Sequence, residues 1–177
     1  MGIILILIFI VNFCQTGFQG ITGLYVVDKF GFTTEQVGVI WMVMAGALIV
    51  VQGFLTGPLE KKTDEKLLIL IGVFCKVLVA FVMVLTSDFV SVLVVFSLFA
   101  VSSAITVPTL NASLLKVANQ HKETLMGFAS TAGNLSKVVA PLLSGYLYES
   151  NIELPYIIMG YITLIGAAIC FMWIKRK

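Results

Sequence analysis

Apolar residues follow one another in six long blocks along this chain, and charged residues separate the blocks. Strands of a membrane barrel would instead alternate apolar and polar residues over about ten positions. Each block comes close to the about 20 apolar residues that a helix needs to cross the hydrocarbon core of a bilayer. The pattern therefore predicts six transmembrane helices, at about residues 3–27, 34–57, 67–85, 89–115, 125–147 and 154–174.

The connections between these blocks are short. Only Thr86, Ser87 and Asp88 separate the third predicted helix from the fourth. Short connections require consecutive helices to run antiparallel. Because no soluble domain or low-complexity linker interrupts the blocks, residues 1–177 are predicted to form a single six-helix transmembrane bundle of the all-α class.

Composition supports a membrane protein and excludes two other classes. Of the 177 residues, 59% are apolar and only 11% are charged, whereas soluble domains are about 45–50% apolar and about 25% charged. A net charge of +2 without a basic patch cannot neutralise a nucleic-acid backbone. The chain is therefore neither a water-soluble domain nor a nucleic-acid-binding protein, and the lipid bilayer is its expected environment.

Positive charge predicts the orientation of the helices. The loops and the C-terminus on one side of the predicted bundle hold Lys61, Lys62, Lys66, Lys116, Lys122, Lys175, Arg176 and Lys177, whereas the opposite loops hold only Lys29. Loops rich in Lys and Arg remain in the cytoplasm. Both termini are therefore expected to be cytoplasmic, in a protein of the plasma membrane.

Polar residues on the first predicted helix lie on one face. Asn12, Gln15 and Gln19 follow one another at spacings of three and four residues, which brings them together on a helix. Long amide side chains facing lipid would cost free energy. We therefore expect these three residues to line a polar cavity that binds a small-molecule substrate.

Two further helices carry polar faces. On the fourth, Thr106 belongs to a stripe of Ser and Thr residues, which either lines the same cavity or serves for packing and for hydrogen bonds to its own backbone. On the fifth, Asn134 and Lys137 share a stripe and are predicted to line the cavity. Lys76 lies mid-span on a helix without such a stripe. No Asp or Glu lies deep in any predicted helix, so neither lysine has a carboxylate partner there.

Small residues on the fifth helix fit close packing between helices. The predicted packing positions are Gly127, Gly133, Pro141 and Gly145. The sequence contains no nucleophile with a nearby base, no phosphate-binding loop and no metal-ligand spacing. The chain is therefore not expected to be an enzyme, nor to need a metal or another cofactor.

Three stretches resemble the major facilitator superfamily. Residues 25–38 (YVVDKFGFTTEQVG) look like the link between its helices seven and eight. Residues 53–66 resemble a degenerate copy of its cytoplasmic loop signature, carried by Gly53, Gly57, Lys61 and Lys62, although the acidic residue and the second glycine are displaced. Residues 127–148 look like helix eleven of its efflux members, with Ser136 and Ala140 in place of expected glycines.

The whole chain resembles the C-terminal six-helix half of the drug-efflux branch of that superfamily. This resemblance implies half of a twelve-helix fold, made of two inverted three-helix repeats. It also implies ion-coupled efflux of small amphipathic compounds by alternating access, as in an antiporter. The expected partner is a missing N-terminal half or a second copy in a homodimer. The alternative is a membrane scaffold or assembly partner that transports nothing.

Overall fold

The computed structural model describes residues 2–117 and 122–175, without the side chains of residues 60 and 61. The prediction for the Lys61 side chain therefore lies outside the described part. Helices account for nearly all of these residues, and no strand occurs within them. The helices are α1 (Gly2–Phe30), α2 (Thr34–Val50), α3 (Thr56–Lys62), α4 (Glu65–Leu85), α5 (Phe89–Val117), α6 (Lys122–Ser150) and α7 (Leu154–Lys175).

Five helical segments are long and apolar enough to cross a membrane. They are Gly2–Phe30, Thr34–Leu59, Glu65–Leu85, Phe89–Val117 and Leu154–Lys175. Helix α6 is as long as α1 and α5 but does not reach the same apolar character, because its sequence includes polar residues such as Asn134 and Lys137. These helices confirm the predicted all-α membrane class.

The second predicted helix continues further than its apolar block. After α2, a π-helical stretch over Val51–Leu55 leads without a break into α3, and the Thr56 hydroxyl donates to the Val51 carbonyl oxygen at 3.1 Å. The signature would require Gly53 and Gly57 to lie in a loop. In the structure both glycines lie within a continuous helix. Single π-helical turns often mark functional sites in helices.

Local sequence signals set the turns between helices. Gly31, with a φ of 68°, allows the chain to reverse after α1, and Thr33 and Gln36 form a reciprocal capping box at the start of α2. Before α5, the Asp88 carboxylate accepts the Ser91 backbone N–H at 3.1 Å. This bond lowers the pKa of Asp88, since it favours the charged form.

Helix α1 has a central position in the bundle. It packs against α5, α6 and α7, while α4 packs against α5 and α7, and α2 packs mainly against α5. In one half of the core, Phe18 stacks on Phe99 with ring centroids 4.4 Å apart. Because α1 borders three other helices, side chains on its different faces reach different environments.

Polar contacts connect neighbouring helices at both ends of the bundle. At one end Lys29 on α1 donates to the Glu153 carboxylate at 2.8 Å and to the Val84 carbonyl oxygen at 2.6 Å. At the other end Glu65, where α4 begins, forms an ion pair with Lys116, near the end of α5. These contacts agree with the antiparallel order expected from the short connections.

Candidate substrate cavity

The polar face of α1 divides among three environments. Asn12 donates to the Ile8 carbonyl oxygen at 2.8 Å within its own helix and also borders a cavity. The Gln15 side-chain oxygen accepts a hydrogen bond from the Lys76 ammonium at 2.9 Å. The Gln19 side-chain nitrogen lies 3.9 Å from the Met44 sulfur. A shared helix face thus does not bring all three amides to one site.

A polar cavity of about 220 Å³ lies between α1, α5 and α6. Its lining residues are Ile8, Asn12, Val107, Asn111, Met126, Ala129, Ser130, Gly133, Asn134 and Lys137. Of the six predicted cavity residues, the structure brings Asn12, Asn134 and Lys137 together here. A drug-sized ligand generally occupies about 300–1,000 Å³, so the cavity as this chain forms it is smaller than such a site.

The chemistry of this cavity combines carboxamides with one cation. Asn12, Asn111 and Asn134 each offer both donors and acceptors, and Lys137 brings a positive charge on an exposed side chain. Among the lining residues no Asp or Glu occurs. These side chains are suited to carbonyl, hydroxyl or anionic groups. The apolar part of the lining, such as Ile8, Val107 and Met126, is suited to hydrocarbon next to them.

Lys76 forms a separate polar contact inside the bundle. Its side chain is only 3% exposed, and its ammonium lies 5.3 Å from the centroid of the Phe99 ring. Gln15 is its hydrogen-bond acceptor. No described carboxylate lies within 4 Å of it. Amide and aromatic ring together compensate part of the cost of holding a cation among apolar helices.

Thr106 is not among the residues that line the polar cavity. It is fully buried, donates to the Ser102 carbonyl oxygen at 2.7 Å and packs on Gly72 so closely that a Cβ atom there would collide with its hydroxyl. This geometry matches the packing alternative for the Ser/Thr stripe. Its assignment to the cavity stays a prediction.

Two polar residues that line the cavity, Asn111 and Ser130, were not among the predicted cavity residues. Asn111 follows Val107 by four residues and therefore lies on the same helix face, and Ser130 precedes Asn134 by four residues on α6. Ser130 could have been selected from this spacing. No comparable spacing points to Asn111, because the polar stripe of α5 runs through Thr106 on another face of the helix.

The four predicted packing positions of α6 differ in their surroundings. Pro141 packs on Gly20 of α1, and a Cβ atom at Gly133 would lie 3.9 Å from the Asn12 side-chain nitrogen. At Gly127 and Gly145 such an atom would meet no described neighbour within 4 Å. These two glycines therefore leave an open surface on α6 instead of a close contact.

Large apolar side chains continue this open surface. On α6, Val138, Leu142 and Tyr146 are 62%, 70% and 71% exposed. Lipid or further helices must cover such side chains, since contiguous apolar patches are rare on proteins surrounded by water. Val138 directly follows Lys137 in the sequence, so this surface adjoins the polar cavity that Lys137 lines.

Long apolar helices around a polar cavity indicate an integral membrane protein with an internal polar site. The chain belongs to the major facilitator superfamily, whose family model matches residues 1–136. This match confirms the family predicted from the three sequence stretches. It also confirms that the chain is not an enzyme, because the superfamily consists of transporters.

Two bacterial proteins are similar to almost the whole chain. Multidrug resistance protein 2 of Bacillus subtilis (strain 168) is 27% identical over 172 residues, which cover 97% of this chain and 43% of that protein. Multidrug resistance protein 1 of the same organism is 23% identical over 170 residues, covering 95% and 43%. Both names support the predicted drug-efflux branch. The chain spans less than half the length of each relative.

Proposed function

We propose that this chain is the C-terminal six-helix half of a secondary transporter that exports small amphipathic compounds. The observation that carries the proposal is the polar cavity between α1, α5 and α6, lined by Asn12, Asn134 and Lys137. Polar groups inside a membrane are costly unless they face a partner or a water-filled path. Similarity to two multidrug resistance proteins supports drug-like compounds as the exported class.

In the proposed topology, the protein lies in the plasma membrane with six membrane spans. Both termini are in the cytoplasm. The helix continuing from α2 into α3 is one span, and α6 is the sixth despite its polar face. Lys116 and Lys66 lie near the end of the bundle where α4 begins, which supports a common cytoplasmic side. The two halves of the chain would then be the inverted three-helix repeats of this fold.

A second set of six helices completes the proposed transporter. The cavity volume of about 220 Å³ is below the about 300 Å³ at which drug-sized sites begin, and α6 leaves apolar side chains such as Leu142 exposed. Both observations support a further half, or a second copy, opposite α6. Alternating access follows when two such halves rock around a site between them.

Ion coupling in this proposal needs a contribution from the other half. No described Asp or Glu lies on the cavity, and Lys137 is its single cation. We assign the carboxylate that would bind a coupling proton to the partner half. Lys137 then adjusts the electrostatic potential next to the site, while the amides of Asn12 and Asn134 hydrogen-bond the substrate.

Protection of a single cysteine by substrate tests the position of the cavity. In a variant with Cys14, Cys75 and Cys170 replaced by serine, Asn134→Cys is expected to react with a water-soluble maleimide through the cavity. Ethidium, a lipophilic cation, should slow that reaction, because a bound compound excludes the reagent. The rate of labelling is read by mass spectrometry.

The matched control is Ser87→Cys in the loop between α4 and α5, which is exposed far from the cavity. Its labelling rate should not depend on ethidium. Equal protection at both positions would contradict a substrate contact at Asn134. Absence of protection at Asn134→Cys, while the complete transporter exports the dye, would contradict it as well.

A further inference from the structure

A second, wholly apolar groove lies on the outside of the bundle between α4 and α7. Its volume is about 520 Å³, and its walls include Leu70 and Phe74 of α4 with Leu164 and Phe171 of α7. Phe74 and Phe171 are about half exposed. No lining residue carries a charge, so the groove suits a flexible hydrocarbon chain.

Two lysines lie at one end of this groove. Lys66 precedes Leu70 by four residues and Lys175 follows Phe171 by four, so each lies on the same helix face as a groove residue. The Lys175 ammonium is 4.6 Å from the Phe171 ring centroid. The Lys66 ammonium reaches from α4 across to α7, where it lies 5.0 Å from the Trp173 ring centroid. Along its helix, each lysine thus lies about one turn beyond a residue of the groove.

No described acidic side chain neutralises either lysine. Among the side chains that the structure describes, no carboxylate lies within 4 Å of either ammonium group. Glu65 is already paired with Lys116 and accepts from Ser113 at 3.1 Å. The Asp64 carboxylate accepts the Lys66 backbone N–H at 3.1 Å, as a cap of α4. No described carboxylate therefore competes with an anion for these two ammonium groups at the groove end.

We propose that an anionic phospholipid occupies this groove as a specific ligand. Its acyl chain lies along Leu70, Phe74 and Phe171, and its phosphate lies between the ammonium groups of Lys66 and Lys175. Basic sites between membrane helices bind anionic headgroups in this way, and the place of Trp173 near the C-terminal end of α7 fits the preference of tryptophan for membrane interfaces. The inference does not depend on the proposed transport activity.

Fluorescence quenching of Trp173 tests this site on the intact chain. The chain contains two tryptophans, so Trp41→Phe leaves Trp173 as the single reporter. The protein is reconstituted into phosphatidylcholine vesicles with a minor fraction of phosphatidylglycerol, and either lipid carries brominated acyl chains, which quench a nearby indole. Quenching by brominated phosphatidylglycerol should indicate a local mole fraction of this lipid near Trp173 on the order of tenfold above that of the whole bilayer. The expected enrichment comes from the two lysines near the headgroup.

Charge variants separate a site from general attraction to an anionic surface. Lys66→Gln with Lys175→Gln should reduce quenching to the level expected from the bulk fraction. The matched control, Lys62→Gln with Lys122→Gln, removes the same charge from exposed positions away from the groove and should keep the enrichment. Ala168 also lines the groove, and Ala168→Phe, which would fill it, should reduce quenching even though both lysines remain.

Three results would overturn the proposal. Quenching that follows the bulk fraction of each lipid in the unaltered chain means that the groove does not select an anionic headgroup. An equal loss in the control pair means that surface charge alone explains the enrichment. Absence of quenching by either brominated lipid means that protein, such as a second copy of the chain, covers the groove.

Discussion

Replacing Gln15 with leucine is expected to destabilise the protein by about 3 kcal/mol, close to the free energy required to place an unpaired lysine at the centre of a membrane helix. The reason is the contact between Gln15 and Lys76, whose atoms lie 2.9 Å apart. Lys76 is buried and has no described carboxylate partner, so loss of the amide leaves its charge with the Phe99 ring alone. The shift is measured from unfolding titrations in mixed detergent.

A second substitution distinguishes this contact from simple packing. Lys76→Met removes the charge but keeps a side chain of similar length, and should restore most of the stability lost in Gln15→Leu. Gln19→Leu is the matched control, because the hydrogen bond described for the Gln19 side chain is a long one to the Met44 sulfur at 3.9 Å, and its effect should stay below about 1 kcal/mol. Equal losses at Gln15 and Gln19, or no recovery with Lys76→Met, would contradict the assigned contact.

Replacing Lys137 with glutamine should change which charge the transporter prefers. Lys137 is the single cation lining the cavity, and no acidic residue lines it within the described part of the chain. In a partly solvated cavity, removing this unit charge weakens the binding of an anion by about 1.4 kcal/mol. This free energy corresponds to a tenfold change in affinity. Transport of an anionic amphiphile should therefore fall about tenfold relative to that of a cation.

The two probes are 8-anilinonaphthalene-1-sulfonate, an amphipathic anion, and ethidium, a lipophilic cation. Their efflux is compared at several concentrations in the same vesicles. Lys137→Arg keeps the charge and should preserve the ratio between the two dyes. If Lys137→Gln changes both dyes by the same factor, the lysine acts on folding or gating and not on the charge of the substrate.

The helices of this chain are readable from the sequence, because each apolar block is long and each break contains charged or capping residues. The partners of individual side chains are not. Spacing places Gln15 on the polar face of α1, but it contains no information that α4 brings Lys76 to that position. Contacts between distant helices depend on tertiary packing, which one sequence does not reveal.

The same limit explains the other differences. The Ser/Thr stripe with Thr106 was open between cavity and packing, and only the position of Gly72 on α4 shows what Thr106 contacts. The apolar pattern near residue 51 contains no signal for a π-helical stretch or for continuation to Lys62. By contrast, the sequence is sufficient to predict that Asn134 and Lys137 lie near Asn12. Polar faces of otherwise apolar membrane helices turn away from lipid and therefore towards one another.

Dye efflux by this chain is the most direct test of the proposed transporter. The chain is expressed in a bacterial strain deprived of its own drug pumps, both alone and together with the part of Multidrug resistance protein 2 that the similarity does not cover. Ethidium loss from loaded cells is recorded while membrane insertion is checked by immunoblot. We expect efflux when the chain is paired with that complement, or from the chain alone if two copies assemble. Full insertion without efflux in either case would contradict the proposal that the cavity of Asn12, Asn134 and Lys137 belongs to a transporter.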